Sequence, residues 1–304
     1  MYLQHFGLRE LPFSLTPNTQ FFLNMASYHK AYNMLMVSLA NAEGFIKIVG
    51  EVGTGKTMLC RKVLNTLEED KENYVTAYIP NPVLSPKGLF LAFAEELGIG
   101  IDQDVGHHRL LKAITERLVE YSAENKQVVL FIDEAHAMPE QTLEALRLLT
   151  NIETEQVKLF QVVLFAQPEL DELLAQPSLR QLRQRITFSF EIEALDRDGV
   201  ERYVGHRLAT AGYNGPSLFS KKALDLLYKA SSGTPRVVNI LCHKALMVAF
   251  GKGERSVQAD NLKSAAQDTE GVEIPGFNFR PAFIALGGIA IGAALVFYLG
   301  GMYL

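Results

Sequence analysis

Five short apolar runs set the rhythm of the chain. They are Phe45-Ile46-Lys47-Ile48-Val49, Tyr74-Val75-Thr76-Ala77-Tyr78-Ile79, Val128-Val129-Leu130-Phe131-Ile132, the stretch Leu159 to Ala166, and residues 186–190. The third shows no polar alternation, the pattern of a strand covered on both faces of a parallel sheet. Between the runs the spacing turns helical. Ala31, Leu35, Leu39 and Ala42 share one face of a helix over 29–42, and further helices are predicted over 59–69, 87–97, 108–124 and 139–151. Strands alternating with helices in this way predict an α/β fold. After Glu193 the pattern changes. Residues 197–211, 220–231 and 236–250, with a short stretch at 259–267, are helical, and no strand pattern intervenes.

Two stretches stand outside this rhythm. Residues 1–30 hold Tyr2, Phe6, Phe13, Phe21 and Phe22 among Pro12 and Pro17, which predicts an arm without regular structure lying against the domain that follows. At the other end no charged residue occurs between Pro281 and Leu304. As a helix this stretch is long enough to cross a hydrocarbon core of about 30 Å. Tyr298 and Tyr303 suit an interfacial belt, and Arg280 flanks the span. Positive residues all precede it, which predicts a single-pass inner-membrane protein with its N-terminal bulk in the cytoplasm, in contact with lipid through the C-terminal helix. The expected organisation is an arm and first helix at 1–44, an α/β core at 45–195, a helical lid at 196–270, a linker at 271–281 and a membrane helix at 282–304.

Composition adds little to that picture and excludes some alternatives. The chain has 304 residues, 48% hydrophobic and 21% charged, as a globular protein would. A net charge of -5 gives no basic footprint, so no nucleic-acid partner is expected. The two cysteines, Cys60 and Cys242, lie far apart at no metal or redox spacing, and Cys60 suits a buried helix position. No secretory leader pattern opens the chain, and the cysteine usage fits a reducing compartment. His29, His107 and His108 are expected to be structural or exposed loop residues.

The first chemistry lies directly after the first run. Gly50-Glu51-Val52-Gly53-Thr54-Gly55-Lys56-Thr57-Met58 satisfies the G-x-x-x-x-G-K-[ST] pattern between a strand and a helix. The glycines let successive backbone N–H groups face inward at phosphate oxygens, and the helix start adds partial positive charge. Lys56 supplies a point charge for the β- and γ-phosphates, and the Thr57 hydroxyl a ligand for Mg²⁺. ATP with Mg²⁺ is the cofactor this predicts. The aromatic arm is then either purely structural or a wall for the adenine ring.

The third run ends in Asp133-Glu134-Ala135-His136. Carboxylates at the C-terminal tip of a buried strand lie where open α/β sheets bind ligands. Asp133 would hold Mg²⁺ and Glu134 would polarise the attacking water; a helix-capping pair is the structural alternative. Gln167, at the tip of the fourth run, reaches either the γ-phosphate and its water or only caps a turn. Arg180, Arg183 and Arg185 form either a solvated face or a finger for the γ-phosphate of a neighbouring subunit. Arg236, in Gly233-Thr234-Pro235-Arg236, starts a helix and could reach the phosphates from the lid.

Taken in order, these motifs resemble the AAA+ ATPases of the ExeA/GspA group, over residues 1 to about 270. The opening Tyr2…Phe6-Gly7-Leu8…Pro12-Phe13-Ser14-Leu15-Thr16-Pro17 is similar to that group's arm. Within the group the resemblance is to proteins that build the mannose-sensitive haemagglutinin type IV pilus. It implies a P-loop AAA+ core with a five-stranded parallel sheet in the order 5-1-4-3-2 and a helical lid. It also implies ATP hydrolysis, Lys56 and Thr57 on phosphate and Mg²⁺, Asp133 and Glu134 as the acidic motif, and Arg236 as the lid's sensor. Gln167 departs from the commoner Asn, Ser or Thr at the strand tip. The implied partners are further copies of the chain and the pilus or type II secretion assembly proteins of the inner membrane. A DNA-handling ATPase of the transposition-helper type and a non-hydrolysing, nucleotide-gated scaffold are the alternatives.

Overall fold

The computed structural model describes residues 2–16, 18–23, 25–100, 102, 104–151 and 158–272. In chain order the elements are α1 (Tyr2–Phe6), α2 (Ala26–Ala40), β1 (Phe45–Gly50), α3 (Lys56–Glu69), β2 (Tyr74–Ile79), α4 (Pro86–Glu96) and α5 (His107–Ala123). There follow β3 (Gln127–Ile132), α6 (Glu140–Leu149), β4 (Phe160–Ala166), α7 (Glu169–Leu174), α8 (Arg180–Arg185) and β5 (Ile186–Ile192). Helices α9 (Arg197–Thr210), α10 (Lys221–Ser231), α11 (Pro235–Gly251) and α12 (Ala259–Gln267) complete the described chain.

The sheet is parallel throughout and runs β2-β3-β4-β1-β5, the order the resemblance implies. Burial follows position. Every residue of β1 and β4 is buried, whereas β2 and β5, at the two edges, are only partly covered. One face of the sheet presents Ile46, Ile48, Val129, Phe131, Val163 and Phe165 to α2 and α3. The other presents Phe45, Val128, Leu130, Ile132, Val162 and Leu164 to α4, α5 and α6. This two-sided burial is why the strands read as continuous apolar runs.

Strand adjacency positions the site. β4 lies between β1 and β3, with Val49 opposite Ala166 and Ile132 opposite Leu164. The residues that leave the C-terminal ends of these three strands therefore emerge side by side, as open α/β sheets require of a ligand crevice.

Helices α9 to α12 pack on one another through Val204, Leu208, Leu227, Leu241, Cys242 and Leu262, and their apolar cluster runs on into the α2–α3 face of the sheet. The N-terminal arm departs from expectation. Its start is a helix that lies against this C-terminal bundle, while the later turn at Thr19–Phe21 touches both α3 and α9. Tyr2 and Phe6, four residues apart, form a one-turn apolar face that is buried, and the Tyr2 hydroxyl bonds His243 Nδ1 of α11 at 2.9 Å. The His5 ring donates to the Glu254 carbonyl (2.7 Å), and Arg9 N–H donates to the Ala211 carbonyl (2.8 Å). The prolines that suggested an irregular arm come only later, at 12 and 17. His107 and His108 are exposed as expected but open α5, the His107 ring resting 5.3 Å from that of Phe90. Cys60 is fully buried.

The expected membrane helix at 282–304, with the linker from residue 273, lies outside the described residues. Among the described residues no helix is long and apolar enough to cross a membrane.

Candidate functional site

Beyond β1 the backbone turns through Gly53 and Gly55 at φ of +80° and +97° and enters α3 at Lys56. A Cβ on Gly53 would stand 2.6 Å from Cβ of Arg236, so only glycine lets the start of α11 come down onto this loop. The Arg236 N–H donates to the Gly53 carbonyl at 3.2 Å. On the other side the Tyr28 hydroxyl donates to the Thr54 carbonyl. No side chain caps α3, so its first N–H groups are left for an anion. Lys56 is 5% exposed, and its Nζ donates to the carbonyls of Gly50 (2.7 Å) and Glu51 (2.9 Å). Burial pulls its pKa down, against the opposing attraction of Glu134 and Asp133.

Asp133 leaves β3 and is 3% exposed. Burial raises its pKa, while hydrogen bonds from the Thr57 hydroxyl and the Glu134 N–H (2.9 Å) favour the carboxylate. A buried carboxylate beside a hydroxyl at the first turn of α3 is a hard oxygen pair of the kind Mg²⁺ takes from protein while phosphates and water fill its other positions. Among the described residues no group of three His, Cys, Asp or Glu could hold a metal without such help. The donor set fits magnesium bound with a nucleoside triphosphate.

Glu134 adopts a left-handed φ of +52°, uncommon for a residue with a side chain. Its Oε2 accepts from Gln167 Nε2 at 3.1 Å and lies 3.5 Å from His136 Nδ1. His136 in turn faces the Gln167 N–H at 3.4 Å. Gln167 therefore touches the carboxylate itself, which the sequence reading of this residue did not anticipate.

A cavity of ≈ 320 Å³ opens at the junction of the sheet, the arm and the C-terminal helices, with Asp133 and His136 outside its lining. Lys56, Thr57, Glu134, Gln167 and Arg236 face it from one direction. Arm residues around Leu15 and Phe21–Leu23 face it from another, together with Tyr203, Arg207 and Asn239. The arm's later part thus forms an apolar side of this cavity. Tyr28, Tyr203, Arg207 and Asn239 had no motif to announce them. The arginines of α8 are not among the lining residues. Arg185 donates to Thr150 Oγ1 (2.7 Å) and to Asn151, whereas Arg180 and Arg183 are exposed with no ion pair or hydrogen bond among the described residues.

Residues 40–174 match a family model described as an AAA domain. Over 293 residues the chain is 39% identical to General secretion pathway protein A of Aeromonas hydrophila, covering 96% of this chain and 53% of that protein. It therefore spans about half the length of this curated relative. Among solved structures, Cdc6p from Pyrobaculum aerophilum superposes with a TM-score of 0.67 at 16% identity, over 84% of this chain and 70% of that one. The Thermotoga maritima RuvB Holliday junction branch migration motor gives 0.57 at 17%, over 92% and 83%. These two likenesses are of fold.

Proposed function

Because this chain is an AAA+ protein of the ExeA/GspA type, we propose that it binds and hydrolyses Mg-ATP to support assembly of an envelope machine of the type II secretion or type IV pilus class. The observation that carries the enzymatic part is the convergence of Lys56, Thr57, Asp133, Glu134 and Gln167 at three neighbouring strand ends, beneath the N-terminus of α11.

Each group has a task in that reading. The open N–H groups of α3 and the Lys56 ammonium hold the β- and γ-phosphates once Nζ leaves the carbonyls it now bonds. Thr57 and Asp133 would hold Mg²⁺, which would supply neutralising charge to the phosphate oxygens. Glu134 accepts a proton from water as the water oxygen attacks the γ-phosphorus. The bond from that phosphorus to the bridging oxygen breaks, giving ADP and phosphate. Gln167 holds the Glu134 carboxylate to one side of the cavity through its Nε2. Arg236 on α11 carries the state of the phosphates to the lid, and an exposed arginine of a neighbouring copy, Arg180 or Arg183, completes the charge.

The name of the curated relative supports the secretion-class role. The uncharged stretch 282–304 supports an anchor in the inner membrane with the ATPase in the cytoplasm. The test is ATP turnover by the full-length protein in detergent beside Glu134→Gln. We expect turnover to fall by about 10²-fold or more with Mg-ATP binding retained. Equal turnover in the variant would remove Glu134 from the role of base, and absence of Mg-ATP binding by the wild type would end the nucleotide reading.

A further inference from the structure

On the lid side of the cavity three side chains form one chain of hydrogen bonds. Arg207 of α9 is 4% exposed, and no carboxylate pairs with it among the described residues. Its guanidinium donates to the carbonyls of Pro12 and Ser14 and to the Tyr203 hydroxyl at 2.9 Å. A guanidinium can only donate, so the Tyr203 oxygen is the acceptor and its proton must go elsewhere. It goes to Asn239 Oδ1 of α11, 3.2 Å away.

That bond engages the oxygen of the Asn239 amide. Its Nδ2 carries two N–H groups, with no partner among the described residues, although Asn239 is only 6% exposed. That donor opens onto the cavity, where an acceptor on a bound ligand would take the place of water. Phe21, Phe22 and Leu23 provide the flat apolar surroundings that a heterocycle needs.

We infer that Asn239 reads the base of the bound nucleotide, donating through Nδ2 to an acceptor nitrogen of a purine ring, with Tyr203 and Arg207 as positioning residues. This rests on the nucleotide reading above and adds to it the group that recognises the base. With its oxygen already accepting from Tyr203, the Asn239 amide presents Nδ2 as the group without a protein partner among the described residues, a donor suited to a ring nitrogen. Asn239 therefore reads a ring acceptor by a single bond.

The experiment is equilibrium binding to the full-length protein of Mg-ATP and of its 1-deaza, 3-deaza and 7-deaza analogues, in which one ring nitrogen is replaced by C–H. Wild type is expected to bind one analogue about tenfold more weakly than ATP. Asn239→Ala should lose a similar factor for ATP and bind that analogue and ATP alike. Tyr203→Phe keeps the ring but removes the proton that orients the amide, and should narrow the same ratio. Should Asn239→Ala fail to fold, the ratio in Tyr203→Phe decides, and an unchanged ratio overturns the inference. Equal binding of all four nucleotides by wild type, or discrimination kept in Asn239→Ala, also overturns it while leaving ATP binding intact. A wild type with no affinity for Mg-ATP overturns this inference together with the nucleotide reading.

Discussion

Asp133 and Lys56 face each other's charge across the strand ends, and burial shifts each toward its neutral form. A carboxylate whose folded pKa is raised contributes stability at low pH and loses it as pH rises through that raised value. An ammonium whose folded pKa is lowered contributes stability at alkaline pH and loses it as pH falls through that value. At neutral pH both groups stand in the unfavourable range, a cost that Mg-ATP would offset on the function proposed above. Asp133→Asn, which keeps an acceptor for Thr57 and Glu134, should therefore raise the melting temperature of the nucleotide-free chain at pH 7 by about 2 °C or more. It should also gain less than wild type on addition of Mg-ATP, and thermal unfolding with and without the ligand checks both. The loop and the acidic tip were legible because each is a run of neighbours whose spacing carries the chemistry. Tyr203, Arg207 and Asn239 were not, since in sequence they are ordinary helix residues and acquire meaning only where α9, α11 and the arm meet.

Among the elements, α11 has the most exacting contact, with its first turn resting on the phosphate loop. Gly53→Ala would place a methyl against Cβ of Arg236, a backbone-anchored atom that cannot swing away, at a φ that alanine resists. Gly98 also has a positive φ but nothing within 4 Å of an added Cβ, so Gly98→Ala isolates the backbone term. Denaturant unfolding should show Gly98→Ala costing about 1 kcal/mol and Gly53→Ala about 2–3 kcal/mol. Only Gly53→Ala should weaken Mg-ATP binding. Equal costs would mean that α11 does not bear on the loop. Elements were well anticipated where an apolar period ran its full length, as in β1 to β4 and α9 to α12, with ends displaced by a few residues. Helix α1 was missed because five residues are too short to show a period, and its stability comes from α11.

At the scale of the whole molecule, the arginines of α8 separate two kinds of role. Arg185 ties α8 to the end of α6 through Thr150 and Asn151, so Arg185→Ala should lower thermal stability. Arg183 is exposed, so Arg183→Ala should leave stability and ATP binding unchanged yet reduce turnover by about 10²-fold or more if it serves a neighbouring copy. Wild-type specific activity should then rise with protein concentration, and flat activity over a wide dilution series would exclude the shared site. The fold class and strand order were legible from the alternation of runs and the resemblance. The seat of the first helix on α11 was not, because it depends on a contact between residues more than two hundred positions apart.

The clasp of α1 on α11 also has a consequence during synthesis. Tyr2 meets His243 across 241 positions, so the first helix leaves the ribosome long before its seat exists. Until α11 has been made, Tyr2 and Phe6 lack the apolar surface of α11 that covers them. A chain interrupted before α11 would carry an intact phosphate loop beside a loose, greasy leader, a ready target for chaperones and proteases. Seating of the first helix thus waits on a polypeptide translated through α11.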